Sequence, residues 1–261
     1  MRYKFVAESL RTLVRDGWLR TDESVLAVCA GAAERSVFLE AGLQHATISN
    51  LDGTRGSDAF APFEWSFQNA QNLAFEDSSF DHVFVSDGLH HCDSPHRGLL
   101  EMFRVARKSV IVFESRDSLL MKLAERLGLA AAYEVEAVIG SGLSHGGVNN
   151  TEIPNYVYRW TEREFEKSVA SFYPLGPCRF KYFYGLNLPD ERLAMNRSAV
   201  RRLALGLLMP LAKGFGSLLP RQGNSFGMVA KKPDAGNLWP WLARQDGVVR
   251  FRKDFSNRYR P

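Results

Sequence analysis

Cysteine is scarce in this sequence and long apolar runs are missing, and each shortage excludes something. The three cysteines, Cys29, Cys92 and Cys178, stand apart from one another, with no C-x-x-C pair and no Cys/His cluster at zinc spacing. Reduced thiols in a cytoplasmic protein are expected, with no structural metal and no metal among the site residues. No stretch approaches the roughly 20 apolar residues of a membrane span. The opening "MRYKFVAESLRTLVRDGWLR" also lacks the continuous apolar core of a signal peptide. Neither a membrane span nor secretion is expected. Internal repeats and low-complexity tracts are missing too. With 261 residues, 45% hydrophobic and 24% charged, the chain has material for one generous core, and a single domain over 1–261 is expected.

Acidic residues run short only in the last part. Residues 192–261 carry 14 basic against 3 acidic side chains, whereas residues 1–191 carry 19 against 26, so the net charge of +4 hides a split. A basic stretch of this kind either attracts an anionic surface or a phosphate-bearing substrate, or is a solvated rim packed beside the acidic part.

Apolar spacing supplies the elements. Val6, Leu10, Leu13 and Val14 fall on one side of an amphipathic helix over residues 6–19, with Arg11, Arg15 and Asp16 on the other. "SVLAVCAG" (24–31) reads as a strand buried on both faces, followed by a helix that stops near Gly42. "ATISNLD" (46–52), "DHVFVSDGL" (81–89) and "KSVIVFES" (108–115) read as further strands, with "SPHRGLLEMFRVAR" (94–107) as a helix between the last two. Such alternation predicts a doubly wound, mostly parallel α/β sheet with right-handed crossovers. Residues 117–139 read as one long helical stretch, and "TEREFEKSVASF" as a helix begun by Thr161 with Glu164 closing a capping box. "CRFKYFYGLNL" and "SFGMVAKKP" read as closing strands paired as a hairpin. Between them a helical insertion over about 190–220 is interrupted at Pro210 and Gly214.

Glycine is short where it would count most. In an open parallel sheet, ligands bind beyond the carboxyl ends of the strands, and the first strand–turn–helix presents backbone N–H groups to them. Here that turn is "AVCAGAAER" (27–35), with Gly31 as its one glycine. A pyrophosphate wants a fuller set of glycines, but Ala30, Gly31 and Ala32 are small enough for a ligand without phosphate to approach. Asp52, at the end of the second strand, lies where a carboxylate can accept bonds from both hydroxyls of a ribose, and Asn50 is two positions earlier on the same face. The plainer alternative makes Asp52 a turn former before Gly53.

The run "NAQNLAFEDSSFDHVFVSDGLHHCDSPHRGLLEMFRVARKSVIVFES" (69–115) resembles the core of class I S-adenosylmethionine-dependent methyltransferases acting on small molecules. Members read D-A-x-x-L-P-F-x-D-x-S-F-D, then a strand, L-H-H and E-x-x-R-V; residues 69–91 follow this nearly position by position, and Glu101, Arg104 and Val105 complete it. The resemblance spans residues 25–115 and implies a Rossmann-like fold with a seven-stranded sheet, residues 20–115 as the cofactor-binding core and 116–261 as a substrate-side elaboration. It implies S-adenosylmethionine as cofactor, Ala30 to Ala32 under its methionine part, Asp52 with Asn50 at the ribose, Asn69 and the Ala70 backbone at the adenine edge, and Ser86 and Asp87 near the sulfonium. Three features depart from the pattern: Asn69 replaces the usual Asp, Cys29 and Ala30 replace glycines, and "RVARKSV" lacks a Pro-Gly-Gly turn.

Methyl transfer is an in-line displacement, so the protein must align the reactants and remove a proton if the acceptor is a hydroxyl. Histidine suits that proton. Of His90, His91, His96 and His145, the candidates singled out are His91, after the fourth strand, and His145, in the loop "GSGLSHGGVNN" (140–150). That loop, with the aromatic "YVYRW" (156–160), is placed to close over an acceptor. The expected reaction is O-methylation of a small metabolite such as a phosphate-bearing sugar or glycan precursor. The alternatives are C-methylation of a quinone-like lipid precursor and a binding-only role. Membrane-surface contact by the apolar-basic stretch 197–213 is left open. A nucleic-acid partner through the tail "RFRKDFSNRYR" is less expected.

Overall fold

The computed structural model describes residues 2–53, 57–187, 214–216, 218–234 and 236–255. Helix α1 (Arg2–Arg15) precedes strand β1 (Ser24–Val28). There follow α2 (Ala32–Glu40), β2 (His45–Asn50), β3 (Glu64–Phe67), β4 (Phe80–Ser86), α3 (Pro95–Val105) and β5 (Ala106–Ser115). Two short helices, α4 (Leu119–Arg126) and α5 (Val135–Gly140), lead to α6 (Glu162–Phe172) and β6 (Arg179–Gly185), and the chain ends in β7 (Ser225–Lys231), β8 (Leu242–Gln245) and β9 (Val248–Phe251).

Seven strands make one sheet in the order β3-β2-β1-β4-β5-β7-β6, parallel from β3 to β5, with β7 antiparallel to both its neighbours. The order reverses between β1 and β4, and that is the switch point where a crevice opens. The expected mostly parallel, seven-stranded doubly wound sheet is therefore what forms, with β6 and β7 as its closing antiparallel pair.

Period-two alternation explains how both faces are covered. Val25 and Ala27 join the apolar cluster beneath α1 and α2, while Leu26 and Val28 join the one beneath α3 and α6. The same split puts Phe84 and Ile111 on one face and Val83, Val85, Val110 and Val112 on the other. Each such side chain contributes about 1.5–3 kcal/mol by leaving water. Helix α1 ends earlier than the spacing predicts, because Gly17 takes φ +69° and Trp18 N–H turns back to the Leu13 carbonyl at 2.9 Å.

Two expectations need correction. The long helix over 117–139 is two short ones, since Gly128 takes φ +67° and Leu129 N–H closes on the Ala124 carbonyl. Tyr133 then bridges to Tyr156 in extended backbone. At the start of α6, Thr161 accepts the Glu164 N–H at 3.2 Å, but the Glu164 carboxylate turns to Tyr158 and His96 instead of closing the box. After β7, β8 and β9 form a hairpin around Asp246 and Gly247, both at positive φ, and the tail from Arg250 starts in its second strand. The aromatic rings here meet one another, Trp239 stacking on Trp241 at 5.2 Å before the hairpin and Phe251 meeting Phe255 at 6.1 Å in the tail. The expected insertion over about 190–220 lies, but for a few residues at its end, outside the described residues, as does the stretch 197–213.

Candidate functional site

Beyond β1 the chain bends sharply at Cys29, whose φ is +51°. Ala30 N–H then donates to the Ser49 carbonyl at 2.8 Å, and Asn50 Nδ2 donates to the Ala30 carbonyl at 3.2 Å, so the turn is tied to the end of β2. Gly31 N–H donates to the Glu34 carboxylate at 2.8 Å. Burial pushes the Glu34 carboxyl above its ordinary range. The turn after β4 presses on this one from the side, and a Cβ at Gly88 would stand 2.4 Å from that of Cys29.

A cavity of about 210 Å³ opens at this switch point. Cys29, Asn50 and Leu51 wall it from β1 and β2, Gln68, Asn69 and Ala70 from the segment after β3, and Asp87, His91 and Cys92 from the segment after β4. Gly146, Gly147, Asn149 and Asn150 cover it from the distant loop. Asn149 and Asn150 both take positive φ, and Asn149 is anchored by bonds from Gln71 (3.0 Å) and to Asp93 (2.6 Å). Cys29 and Cys92, apart in sequence, meet in this wall; their hydrogen bond and burial hold the Cys29 thiol above its ordinary range.

The residues expected at the cofactor divide between two hollows. Asn50, Asn69, Ala70 and Asp87 line the central cavity, together with the catalytic candidate His91. Ala30, Gly31, Ala32 and Asp52 line a neighbouring hollow of about 360 Å³ on the other side of Asn50, which borders both. Ser86 lies behind, 5% exposed, its hydroxyl without a partner among the described residues. His145 does not line the cavity: its ring meets the Ser144 hydroxyl at 2.8 Å, and the loop presents its glycines and asparagines inward instead. His96 is a helix-start residue, bonded to Glu164 at 3.1 Å.

Behind His91 is a cluster that the spacing did not bring together. Glu114, at the end of β5 and 1% exposed, accepts Gly88 N–H (3.0 Å), Leu89 N–H (2.7 Å) and His90 Nδ1 (2.6 Å). His90 Nε2 lies 3.2 Å from Glu134 Oε2, and His91 Nε2 lies 3.4 Å from the same oxygen. Burial works against a charged His90, but the Glu114 carboxylate, with Glu134 assisting, outweighs it and raises the imidazole to about 9. The His90 bond draws Glu134 down to about 2. Burial and the His90 charge push His91 below its ordinary value. Glu114 had a readable signal, a lone carboxylate closing a buried strand; Glu134 and the inward face of loop 146–150 had none.

Three of the basic residues described in the last part lie elsewhere. Lys231 pairs in register with Ser109, near the amino end of β5, because β7 runs antiparallel. Lys231, Lys232 and Arg244, with Arg107 and Lys108, line a hollow at the opposite end of the sheet from the cavity.

Residues 31–113 match the family model described as a methyltransferase domain. No curated protein matches the chain by sequence. Among solved structures, the YcgJ protein of Bacillus subtilis is similar at 13% identity and TM-score 0.52, covering 87% of this chain and 99% of its own. A putative methyltransferase of Bacillus halodurans is similar at 15% identity and TM-score 0.51, covering 87% and 99%. Magnesium protoporphyrin IX methyltransferase of Synechocystis, solved with bound S-adenosylhomocysteine, is similar at 13% identity and TM-score 0.51, covering 88% and 83%. These likenesses establish a shared fold. Among the described residues no helix is long and apolar enough to cross a membrane.

Proposed function

We propose that this chain, whose residues 31–113 match a methyltransferase-domain model, transfers a methyl group from S-adenosylmethionine to a hydroxyl of a small polar molecule, of the sugar or glycan-precursor kind. One observation carries this: a cavity at the β1/β4 switch point, walled by amide side chains and a tight backbone turn, and roofed by a loop from the second half of the chain.

The residues present fit the cofactor. Asn50 takes the ribose, supported by its place on the cavity wall, and Gln68, Asn69 and the Ala70 backbone take the adenine edge. Cys29 and Asp87 border the methionine end, with Ala30 to Ala32 supporting the turn from behind. When bound, S-adenosylmethionine supplies a methyl group activated on sulfur. The protein's part is alignment, exclusion of water and removal of the acceptor proton. Loop 146–150 closes the cavity, its Asn149 and Asn150 amides holding it against Gln71, Asp93 and Leu51. The proton leaves at the His91 end, where His91 is the catalytic candidate on the wall and His145 is set aside. Residues 20–115 thus hold the cofactor, and the remainder of a single domain builds the acceptor side. The described basic hollow, at the far end of the sheet, lends no support to a phosphate on the acceptor.

A second reading, C-methylation of a quinone-like lipid precursor at a membrane surface, is favoured by one feature. Leu119 and Leu123 of α4 and Leu127 at its C-cap are 74%, 52% and 63% exposed, a row facing water at the cavity end of the sheet.

The test begins with calorimetry using S-adenosylmethionine and S-adenosylhomocysteine, for which heat with both at one site per chain is expected. Absence of heat with either would remove the enzyme reading. Mass spectrometry of a hydroxylated and a lipid-tailed acceptor panel then separates the two readings, the first requiring O-methyl products on untailed acceptors.

A further inference from the structure

The side chains at the His91 end are arranged more elaborately than the removal of one proton requires. His90 Nδ1 is committed to Glu114 at 2.6 Å, the length of a charge-assisted bond. The His91 ring is bonded to the Gly147 backbone. What remains is a convergence of His90 Nε2, His91 Nε2 and Glu134 Oε2, all within 4.8 Å of one another.

The separations carry the inference. Glu134 Oε2 lies 3.2 Å from one ring nitrogen and 3.4 Å from the other. Both exceed the usual length of a charged N–H···O bond, about 2.7–2.9 Å, so the His90–Glu134 bond that forms without an ion is a long one. Four ligands about 2.0–2.1 Å from a tetrahedral ion stand roughly 3.3–3.4 Å apart, and both separations to Glu134 fall close to that spacing. The surroundings match as well. Ligating histidines commonly give their other ring nitrogen to a carboxylate or a backbone carbonyl, as His90 does with Glu114. Glu134 is itself held by Asn155, fully buried, whose carbonyl accepts Glu134 N–H at 2.9 Å and whose amide reaches Oε2 at 3.4 Å.

We propose that His90, His91 and Glu134 form a three-ligand site for a first-row divalent cation, zinc being the best match, with Glu114 and Asn155 as the residues that orient the ligands. Two imidazoles and one carboxylate are the donor set of ions that keep a coordination position open. Histidines adjacent in sequence show no zinc spacing, because the third ligand comes from the distant segment before α5, which explains why the sequence argues against a metal. Since His91 lines the cavity, the ion stands at its wall. With the ion bound, His91 is a ligand and not the base, so the ion's use as a Lewis acid toward an acceptor hydroxyl replaces that role and rests on the function proposed above; its binding does not.

The untagged full-length chain, stripped with EDTA, is titrated with Zn²⁺ against a chromophoric chelator, and crystals soaked in Zn²⁺ are measured for anomalous scattering. One ion per chain, with its anomalous peak among the three side chains, is expected. His91→Ala and Glu134→Gln should each weaken binding at least 100-fold, and Glu114→Gln by about 10- to 100-fold. His145→Ala, outside the cluster, should leave affinity unchanged, and near-ultraviolet dichroism checks that each variant is folded. Absence of stoichiometric binding, or binding indifferent to His91→Ala and Glu134→Gln, overturns the proposal. Calorimetry of the stripped chain with S-adenosylhomocysteine reads the cofactor pocket separately, so failure of the metal site and failure of the enzyme reading give different results.

Discussion

Replacing Glu114 by alanine should cost far more than any other single carboxylate substitution at the site. Three donors end on this one side chain, two of them backbone N–H groups of the turn after β4, in a place that is 1% exposed. A hydrogen bond to a charged group contributes about 1.5–3 kcal/mol, so three at the low end come to about 4.5 kcal/mol. Breaking a buried charged pair by removing one partner costs about 3–5 kcal/mol, and the two routes agree. For a domain of this size that lowers the melting temperature by roughly 6–20 °C. Glu114→Gln keeps an oxygen for Gly88 and Leu89 but sets an amide against His90, so about 1.5–3 kcal/mol is expected. Urea unfolding followed by tryptophan fluorescence measures both. If Glu114→Ala costs less than about 1 kcal/mol, the Glu114–His90 pair is solvated in reality and the reasoning about its burial fails.

Other perturbations separate structure from site. His82 is 1% exposed between Ser109 (2.7 Å) and Glu23 (2.8 Å), and burial depresses its pKa although Glu23 pulls the other way. The unfolded chain therefore binds this proton more readily, so the stability tied to His82 is complete above about pH 6.5 and lost as pH falls below it, by at most ~1.4 kcal/mol per pH unit. His82→Gln should flatten the urea midpoint between pH 5 and 7, and an unchanged slope would assign that dependence elsewhere. Gly147→Ala sets a Cβ 1.9 Å from the Ile153 carbonyl oxygen, whereas one at Gly140 meets nothing within 4 Å. The first should weaken S-adenosylhomocysteine binding by calorimetry while Gly140→Ala does not; equal affinities would detach loop 146–150 from the cavity. Leu123→Ser on exposed α4 should change stability by under about 0.5 kcal/mol, while Leu99→Ala, fully buried, costs about 2–5 kcal/mol in the same assay.

What the sequence disclosed follows how each element is held. Strands β1, β4 and β5 are buried on both faces, so their apolar runs are continuous and need no partner to be recognised. Strand β3 is four residues at the sheet edge, half covered, and has no such run. The β8–β9 hairpin did carry a signal, Asp246-Gly247 between alternating residues, but its basic and aromatic side chains suggest a binding tail more readily than a turn. At the site, residues fixed by strand ends were legible: Asn50, Asn69, Asp87 and His91 all reach the cavity. Glu134, Asn149 and Asn150 arrive from segments whose position depends on tertiary packing, and His145 shares its loop with them yet points away.

Chain direction also decides what the charge split can mean. A sheet parallel throughout would have put the end of its last strand beside the cavity, with Lys231 and Lys232 at the acceptor. Because β7 runs antiparallel, those lysines land at the amino ends of the parallel strands, and burial pushes Lys232 down to about 8. Composition registers their charge but not that reversal. For Lys231, Lys232 and Arg244, then, the basic charge belongs to the far end of the sheet, and the wall of the cavity is built by the neutral loop 146–150 and His91 instead.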